Sequence, residues 1–212
     1  MNIQILIDNP HSWVVPYAKI LEEEIHKLNH SIEIINEHKQ IKNGDILILL
    51  SCEKILKKYF LDLNKHNLVV HASPLPKGKG MSPMAWQILE GKNELPVTLF
   101  EAAEALDAGD IYLQRVIKYR GDELIEELRE ELGKVSNEML IEFINRADEI
   151  TGKKQKGEES FYKKRTKEDS KLDVNKTIAE QFNLLRIVDN ERYPAFFELH
   201  GNKYIIKIEK QK

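Results

Sequence analysis

Short apolar runs that alternate with helical patterns constrain this 212-residue chain most. Ile46 to Leu50 is continuously apolar, as in a strand covered on both faces. Ile3 to Ile7 is strand-like and ends in the turn-rich loop Asp8-Asn9-Pro10-His11-Ser12. Between these runs, Trp13 to Leu28 places Tyr17, Ile20, Leu21, Ile25 and Leu28 at helical spacing against a charged opposite face. Ser31 to Ile35 alternates as a second strand, and Asn43-Gly44-Asp45 marks a turn. Ser51 is positioned to cap a helix running to Leu63, and Leu68 to Val70 supplies the next strand. Strands alternating with helices predict an α/β, Rossmann-like, mostly parallel sheet with helices on both faces.

After Leu68-Val69-Val70-His71 the chain breaks into the Pro/Gly-rich loop Ala72 to Gly80. Ser82 and Pro83 then open a helix, as N-cap and first helical residue. Pro96 to Phe100 and Ile111 to about Ile117 read as strands flanking the tight loop Leu106 to Asp110. Asp122 to Ile150 is amphipathic, either one long helix or two short ones with a break at Gly133. Thr151 to Asp169 has no apolar period and reads as a surface linker interrupted by Phe161-Tyr162. Thr177 to Val188 carries a helix pattern, and Ala195 to Leu199 with Lys203 to Ile208 forms a hairpin around Gly201. Residues 1–150 are therefore read as the core, and 151–212 as a small C-terminal helix and hairpin appendage.

A net charge of −3, with 32% charged residues, gives no broad electrostatic footprint for nucleic acid. The basic runs Lys153-Lys154 and Lys163-Lys164-Arg165 read as solvated surface. The one cysteine, Cys52, excludes an internal disulfide and a multi-cysteine zinc site, and it follows an apolar run where an inert buried thiol is expected. No metal-ligand spacing is visible. No apolar stretch is long enough to span a membrane, and the first residues are too polar for a signal peptide, so a cytoplasmic setting is expected. There is neither a Gly-x-Gly-x-x-Gly after the first strand nor a Walker-type Gly-Lys-Ser/Thr.

His71 and Asp107 each sit where a strand meets a Gly/Pro loop. On a common sheet edge the carboxylate could hold the imidazole; apart, His71 is an ordinary satisfied histidine. The residues His71-Ala72-Ser73-Pro74-Leu75-Pro76, Lys79-Gly80, Pro83, Trp86, Val97-Thr98 and Asp107-Ala108-Gly109-Asp110-Ile111 resemble, in order, the pattern of the formyltransferases that use 10-formyltetrahydrofolate. That resemblance implies His71 and Asp107 as catalytic, with Ser73 a candidate donor to the oxyanion. It also implies that Ser51, Lys54, Ile55, Leu56, Asp107 and Asp110 hold the folate, and that no metal takes part. The family's asparagine two residues before the histidine is Val69 here. An oxyanion donor of that kind contributes roughly 3–4 kcal/mol elsewhere, so another donor stands in or the chain is a weakened relative.

The segment Phe161 to Asp169 with Arg186 and Arg192 to Phe196 is similar to the part of sugar formyltransferases that follows their catalytic core. Tyr162, Arg165 and Tyr193 are thus implied contacts to a nucleotide; otherwise they are packing and surface charge. His11 and Ser12, with Lys77, Gly78, Lys79 and Gly80, are further candidates to line the acceptor pocket. The expected acceptor is a nucleotide-linked amino sugar, most similar to the UDP-linked 4-amino-4,6-dideoxy-N-acetylhexosamine of pseudaminic-acid-type pathways. A purine-pathway ribotide, or folate and nucleotide binding without catalysis, are the rival readings. The resemblance also implies pairing with a second copy through the final hairpin or the long charged helix.

Overall fold

The computed structural model describes residues 1–211. Its elements in chain order are β1 (Asn2–Leu6), α1 (Val15–Lys27), β2 (Ser31–Ile35), β3 (Gly44–Leu49), α2 (Lys58–Leu61), β4 (Asn64–His71), β5 (Lys79–Gly80), α3 (Pro83–Leu89), β6 (Glu94–Glu101), β7 (Ile111–Lys118), α4 (Ile125–Asn145), β8 (Phe161–Tyr162), α5 (Phe182–Arg186), β9 (Ala195–Leu199) and β10 (Asn202–Ile206). Six strands form one sheet in the order β2-β1-β3-β4-β6-β7. The first four run parallel, and β6 and β7 are antiparallel additions. The architecture is the expected α/β Rossmann-like sheet.

Strand alternation divides the core between two faces. Ile3, Ile5, Ile46, Ile48, Leu68 and Val97 face α1 and α4, where Ala18, Leu21, Ile25, Leu128 and Phe143 cover them. Leu6, Leu47 and Leu49 face the opposite side, closed by Ile41, Leu56 and the residues around the short α2. The chain winds from β1 outward to β2, then crosses back to β3. A crossing of this kind opens a crevice at the carboxyl ends of the strands beyond it.

Four local expectations need correction. The helix from Ser51 to Leu63 shrinks to α2, because the Asp8 carboxylate accepts the backbone N–H groups of Glu53 and Lys54 and Ser51 adopts φ +54°. Ser82 precedes α3 at φ +56° and makes no side-chain cap, although Pro83 does open the helix. Gly133 does not break α4, which is continuous over 21 residues. A Cβ at Gly133 would lie 2.4 Å from the Tyr17 ring, so the glycine permits close contact between α1 and α4. The helix expected over Thr177 to Val188 is a single 3-10 turn followed by the five residues of α5. There the Gln181 amide donates to the carbonyls of Asp173, Lys176 and Thr177, competing with helical bonding.

Residues 151–211 pack back on the sheet domain. Arg186 is fully buried and donates to the Glu123 carbonyl at 3.0 Å, the Glu123 carboxylate at 3.1 Å and Asn93 Oδ1 at 3.1 Å. Earlier in the same segment, β8 pairs with β5. No helix among the described residues is long and apolar enough to cross a membrane.

Candidate functional site

A cavity of about 380 Å³ opens at the carboxyl ends of β3 and β4. That volume falls within the range typical of small-molecule sites, about 300–1,000 Å³. β4 delivers His71 at its last position, and strand alternation puts Val69 on the same face; both line the cavity. His71 Nε2 lies 2.8 Å from the Gly78 carbonyl oxygen. A carbonyl only accepts, so Nε2 carries the proton and a neutral ring keeps its lone pair on Nδ1.

Asp107 reaches the same wall from the loop between β6 and β7, at φ +48°. Its Oδ2 accepts the Gly80 N–H at 2.8 Å and lies 3.8 Å from His71 Nε2. The expected direct hold of carboxylate on imidazole is therefore replaced: Asp107 fixes the loop and stands beside the ring, and a backbone carbonyl accepts the hydrogen bond of the ring N–H. The rest of the loop is tied elsewhere, with Asp110 paired to Lys154 at 2.9 Å outside the cavity. Ser73 is fully buried, its Oγ has no protein partner, and it does not line the cavity.

Of the expected folate contacts, Ser51 lines the cavity beside Leu49, Leu50, Cys52 and Glu53. Lys54, Ile55 and Leu56 lie outside it; Ile55 is exposed, and Leu56 is buried in the cluster of Leu6, Leu47 and Leu49. Burial pushes the Cys52 thiol up to about 12, so it rests protonated and inert.

The opposite wall comes from the appendage and from one side chain of α4. Lys164, Arg165, Ile187, Asp189, Arg192 and Tyr193 line it, with Arg129 from α4. Arg129 pairs with Asp189 at 3.0 Å, and Lys164 with Glu53 at 2.8 Å. Among the described residues Arg165 has no carboxylate partner within hydrogen-bond distance. Its guanidinium makes long bonds to the Ile187 carbonyl at 3.3 Å, the Asp169 carbonyl at 3.4 Å and Ser170 Oγ at 3.2 Å, and its buried Nε has none. Burial holds the Arg165 guanidinium below its ordinary pKa despite the opposing field of Asp169.

Several implied acceptor contacts serve the framework instead. The Tyr162 hydroxyl donates to Glu90 at 2.9 Å and the ring stacks on Trp86, outside the cavity. Lys79 is buried against Glu159 at 2.5 Å. Lys77, Gly78, His11 and Ser12 are also outside, whereas Gly80 and the neighbouring Trp13 and Val14 are inside. Sequence reading passed over Tyr17, Arg129, Ser136, Asn137 and Asp189, all of which line the cavity. One signal was present: Asn137 interrupts the apolar stripe of α4 and is buried, donating to the Tyr17 carbonyl at 2.9 Å.

The model of the family described as formyl transferase matches residues 14–144. A methionyl-tRNA formyltransferase from Thermodesulfovibrio yellowstonii is 35% identical over 147 residues, which is 68% of this chain and 48% of that protein. The chain thus spans about half the length of this curated relative. Two solved structures share the fold. HypX from Aquifex aeolicus in complex with tetrahydrofolic acid has a TM-score of 0.84 at 18% identity, covering 98% of this chain and 37% of that one. A 4-N formyltransferase from Francisella tularensis has a TM-score of 0.78 at 17% identity, covering 100% of this chain and 98% of that one.

Proposed function

This chain belongs to the formyl transferase family, and from that premise we propose that it moves a formyl group from 10-formyltetrahydrofolate to the amine of a nucleotide-linked amino sugar. One observation carries the reading: His71 and Asp107, 3.8 Å apart, stand together on the wall of a cavity at the sheet's carboxyl edge. The apolar surfaces of Leu49, Leu50 and Leu106, beside the left-handed turn at Ser51, suit a flat heterocycle with a polar rim.

Bound 10-formyltetrahydrofolate supplies an electrophilic formyl carbon and tetrahydrofolate as leaving group. His71 Nδ1, the ring nitrogen with the free lone pair, takes the proton that the attacking amine loses and returns it to the departing nitrogen. The Asp107 carboxylate beside the ring stabilises the imidazolium formed between these two transfers. Val69 presents methyl groups where relatives carry an amide, so the oxyanion is met by another donor of the cavity wall.

The acceptor class follows from the opposite wall. A half-buried guanidinium without a carboxylate is stabilised by an incoming anion, and Arg165 matches a phosphate of a nucleotide-linked sugar. Tyr193 supplies a ring on the same wall. Within this class we favour the UDP-linked 4-amino-4,6-dideoxy-N-acetylhexosamine. The second reading is a methionyl-tRNA acceptor, favoured by the name of the curated relative.

Incubation with 10-formyltetrahydrofolate and a panel of UDP- and dTDP-linked 4-amino sugars, glycinamide ribotide and methionyl-tRNA separates these readings. Tetrahydrofolate release that depends on an amino sugar is the expected result. Release driven only by methionyl-tRNA or by the ribotide overturns the sugar assignment, and folate binding without release on any acceptor overturns catalysis.

A further inference from the structure

Residues 153–163 look like a plain polar linker, yet their contacts converge on the two loops that carry His71 and Asp107. Ser160 grips the first loop three times: its N–H donates to the Pro76 carbonyl at 3.4 Å, its carbonyl accepts the Lys79 N–H at 2.9 Å, and its Oγ accepts the Gly78 N–H at 2.8 Å. Gly78 is the residue whose carbonyl accepts the His71 Nε2–H hydrogen bond. Gly78 is thus held on its N–H by Ser160 and on its carbonyl by His71. Gln155 does the same for the second loop, its Nε2 donating to the carbonyls of Asp107 and Gly109 at 2.8 Å each.

The close fit leaves no slack. Gly78 adopts φ +73°, and a Cβ on it would lie 2.8 Å from the Tyr162 ring and 3.0 Å from Ser73 Cβ. A Cβ on Gly80 would lie 2.4 Å from the Tyr162 carbonyl oxygen. Loop geometry is therefore set by hydrogen bonds from outside the sheet domain.

We propose that Ser160 and Gln155 are positioning residues: Ser160 fixes, through Gly78, which nitrogen of His71 is free to take a proton, and Gln155 fixes the Asp107 carboxylate beside it. The role in turnover rests on the formyl-transfer reading above; the role in His71 protonation does not. Without the Ser160 hydroxyl the 77–78 peptide loses its anchor and Gly78 can change φ, which moves its carbonyl off the imidazole that it orients even though the Ser160 carbonyl still accepts the Lys79 N–H. The Asp107 carboxylate does not take its place, since Oδ2 lies 3.8 Å from Nε2, beyond hydrogen-bond reach, and is already committed to the Gly80 N–H.

The test is the ¹⁵N spectrum of the His71 imidazole, at a pH where the ring is neutral, in the wild type and in Ser160→Ala, Ser160→Thr, Gln155→Ala and the exposed control Lys156→Ala. The wild type, Ser160→Thr and the control are expected to show one protonated Nε2 and one bare Nδ1 signal. In Ser160→Ala the two signals should move toward each other as the tautomers mix, with circular dichroism unchanged. For Ser160→Ala and Gln155→Ala, kcat should fall tenfold or more, on the order of what small misplacements cost, with KM for folate within about twofold. Unchanged His71 signals in Ser160→Ala overturn the Ser160 role whatever the turnover, and a wild-type kcat in Gln155→Ala overturns the Gln155 role. If the signals converge in Ser160→Ala while the wild-type protein forms no formyl product on any acceptor, the proposed reaction falls and Ser160's effect on His71 stands.

Discussion

The two walls of the cavity rest on different physics. The wall bearing His71 and Val69 is the end of a sheet whose strands bury apolar side chains on both faces, and little in it can shift without opening the core. The wall bearing Arg165, Asp189, Arg192 and Tyr193 is loop and short helix, resting on the small apolar cluster of Leu185, Val188 and Ala195, on hydrogen bonds and on the buried ion pair of Arg186 with Glu123. Chemistry that needs fixed geometry sits on the first wall, and groups suited to a charged ligand sit on the second. A scaffold made this way can vary its acceptor by changing the second wall while the first keeps the proton-handling pair.

The widest separation between the walls should appear in kinetics. His71→Ala is expected to lower kcat about 10²–10⁴-fold, the usual worth of a positioned acid–base group, with acceptor KM nearly unchanged. Arg165→Ala should do the reverse, raising acceptor KM and leaving kcat within a few fold. Steady-state rates with varied acceptor decide it; a large kcat loss in Arg165→Ala would erase the division between the walls.

Stability should show the next largest effect, on the second wall. Removing one partner of a buried pair costs about 3–5 kcal/mol, so Arg186→Met is expected to lower the urea midpoint strongly. The same pair carries a pH dependence. Burial alone raises the Glu123 carboxyl, but the amides of Arg120 and Gly121, together with Arg186, outweigh it and hold the pKa below the ordinary value. A depressed carboxylate adds stability above its unfolded-state pKa of about 4.5 and loses it as the pH falls through the folded value. Urea titrations at pH 7 and at pH 3.5 should therefore differ less in Arg186→Met than in the wild type. An equal pH dependence in both would remove the guanidinium from that account.

Legibility follows the same division. The strands β1, β3 and β4 and the place of His71 at a strand end are written in apolar runs, because burial on both faces demands them. The resemblance pairs His71 with Asp107, and both line one wall, 3.8 Å apart. What escaped reading depends on partners far along the chain. Asp8 takes the amides that a helix from Ser51 would have used, and Gly78 is fixed by Ser160 across 82 positions. Backbone groups bonded by distant side chains leave no periodicity, so residues 151–169 read as a linker and Arg165 could not be told from surface charge. Tyr162 and Lys79 were placed against a ligand because their residue types suit one, yet Glu90 and Glu159 hold them.

The close approach of α1 and α4 behind the first wall gives a smaller effect with an instructive sign. Replacing a helical glycine by alanine ordinarily gains about 1 kcal/mol. At Gly133 the added methyl would meet the Tyr17 ring at 2.4 Å. Overpacking of this kind costs typically 1–3 kcal/mol, so Gly133→Ala should be destabilised despite its better propensity. Both Gly133 and Tyr17 line the cavity, so folate affinity should weaken with it. A stabilised Gly133→Ala would show that the two helices separate easily and that the first wall is softer than its core suggests.

The smallest expected change tests whether the first wall is complete. By the resemblance, Val69 stands at the place of the family's asparagine, the implied oxyanion donor, and its side chain packs with the Leu6, Leu47 and Leu49 cluster. If the wall already supplies another donor, Val69→Asn adds a polar group to a half-buried apolar position and removes packing. The rate should then fall by less than tenfold, about 1.4 kcal/mol or below. If the wall lacks a donor, the same substitution should raise the rate by about 10²–10³, the worth of one such hydrogen bond. The two outcomes differ in sign, so single-turnover formyl transfer by Val69→Asn distinguishes a site adapted to valine from one that has lost its donor.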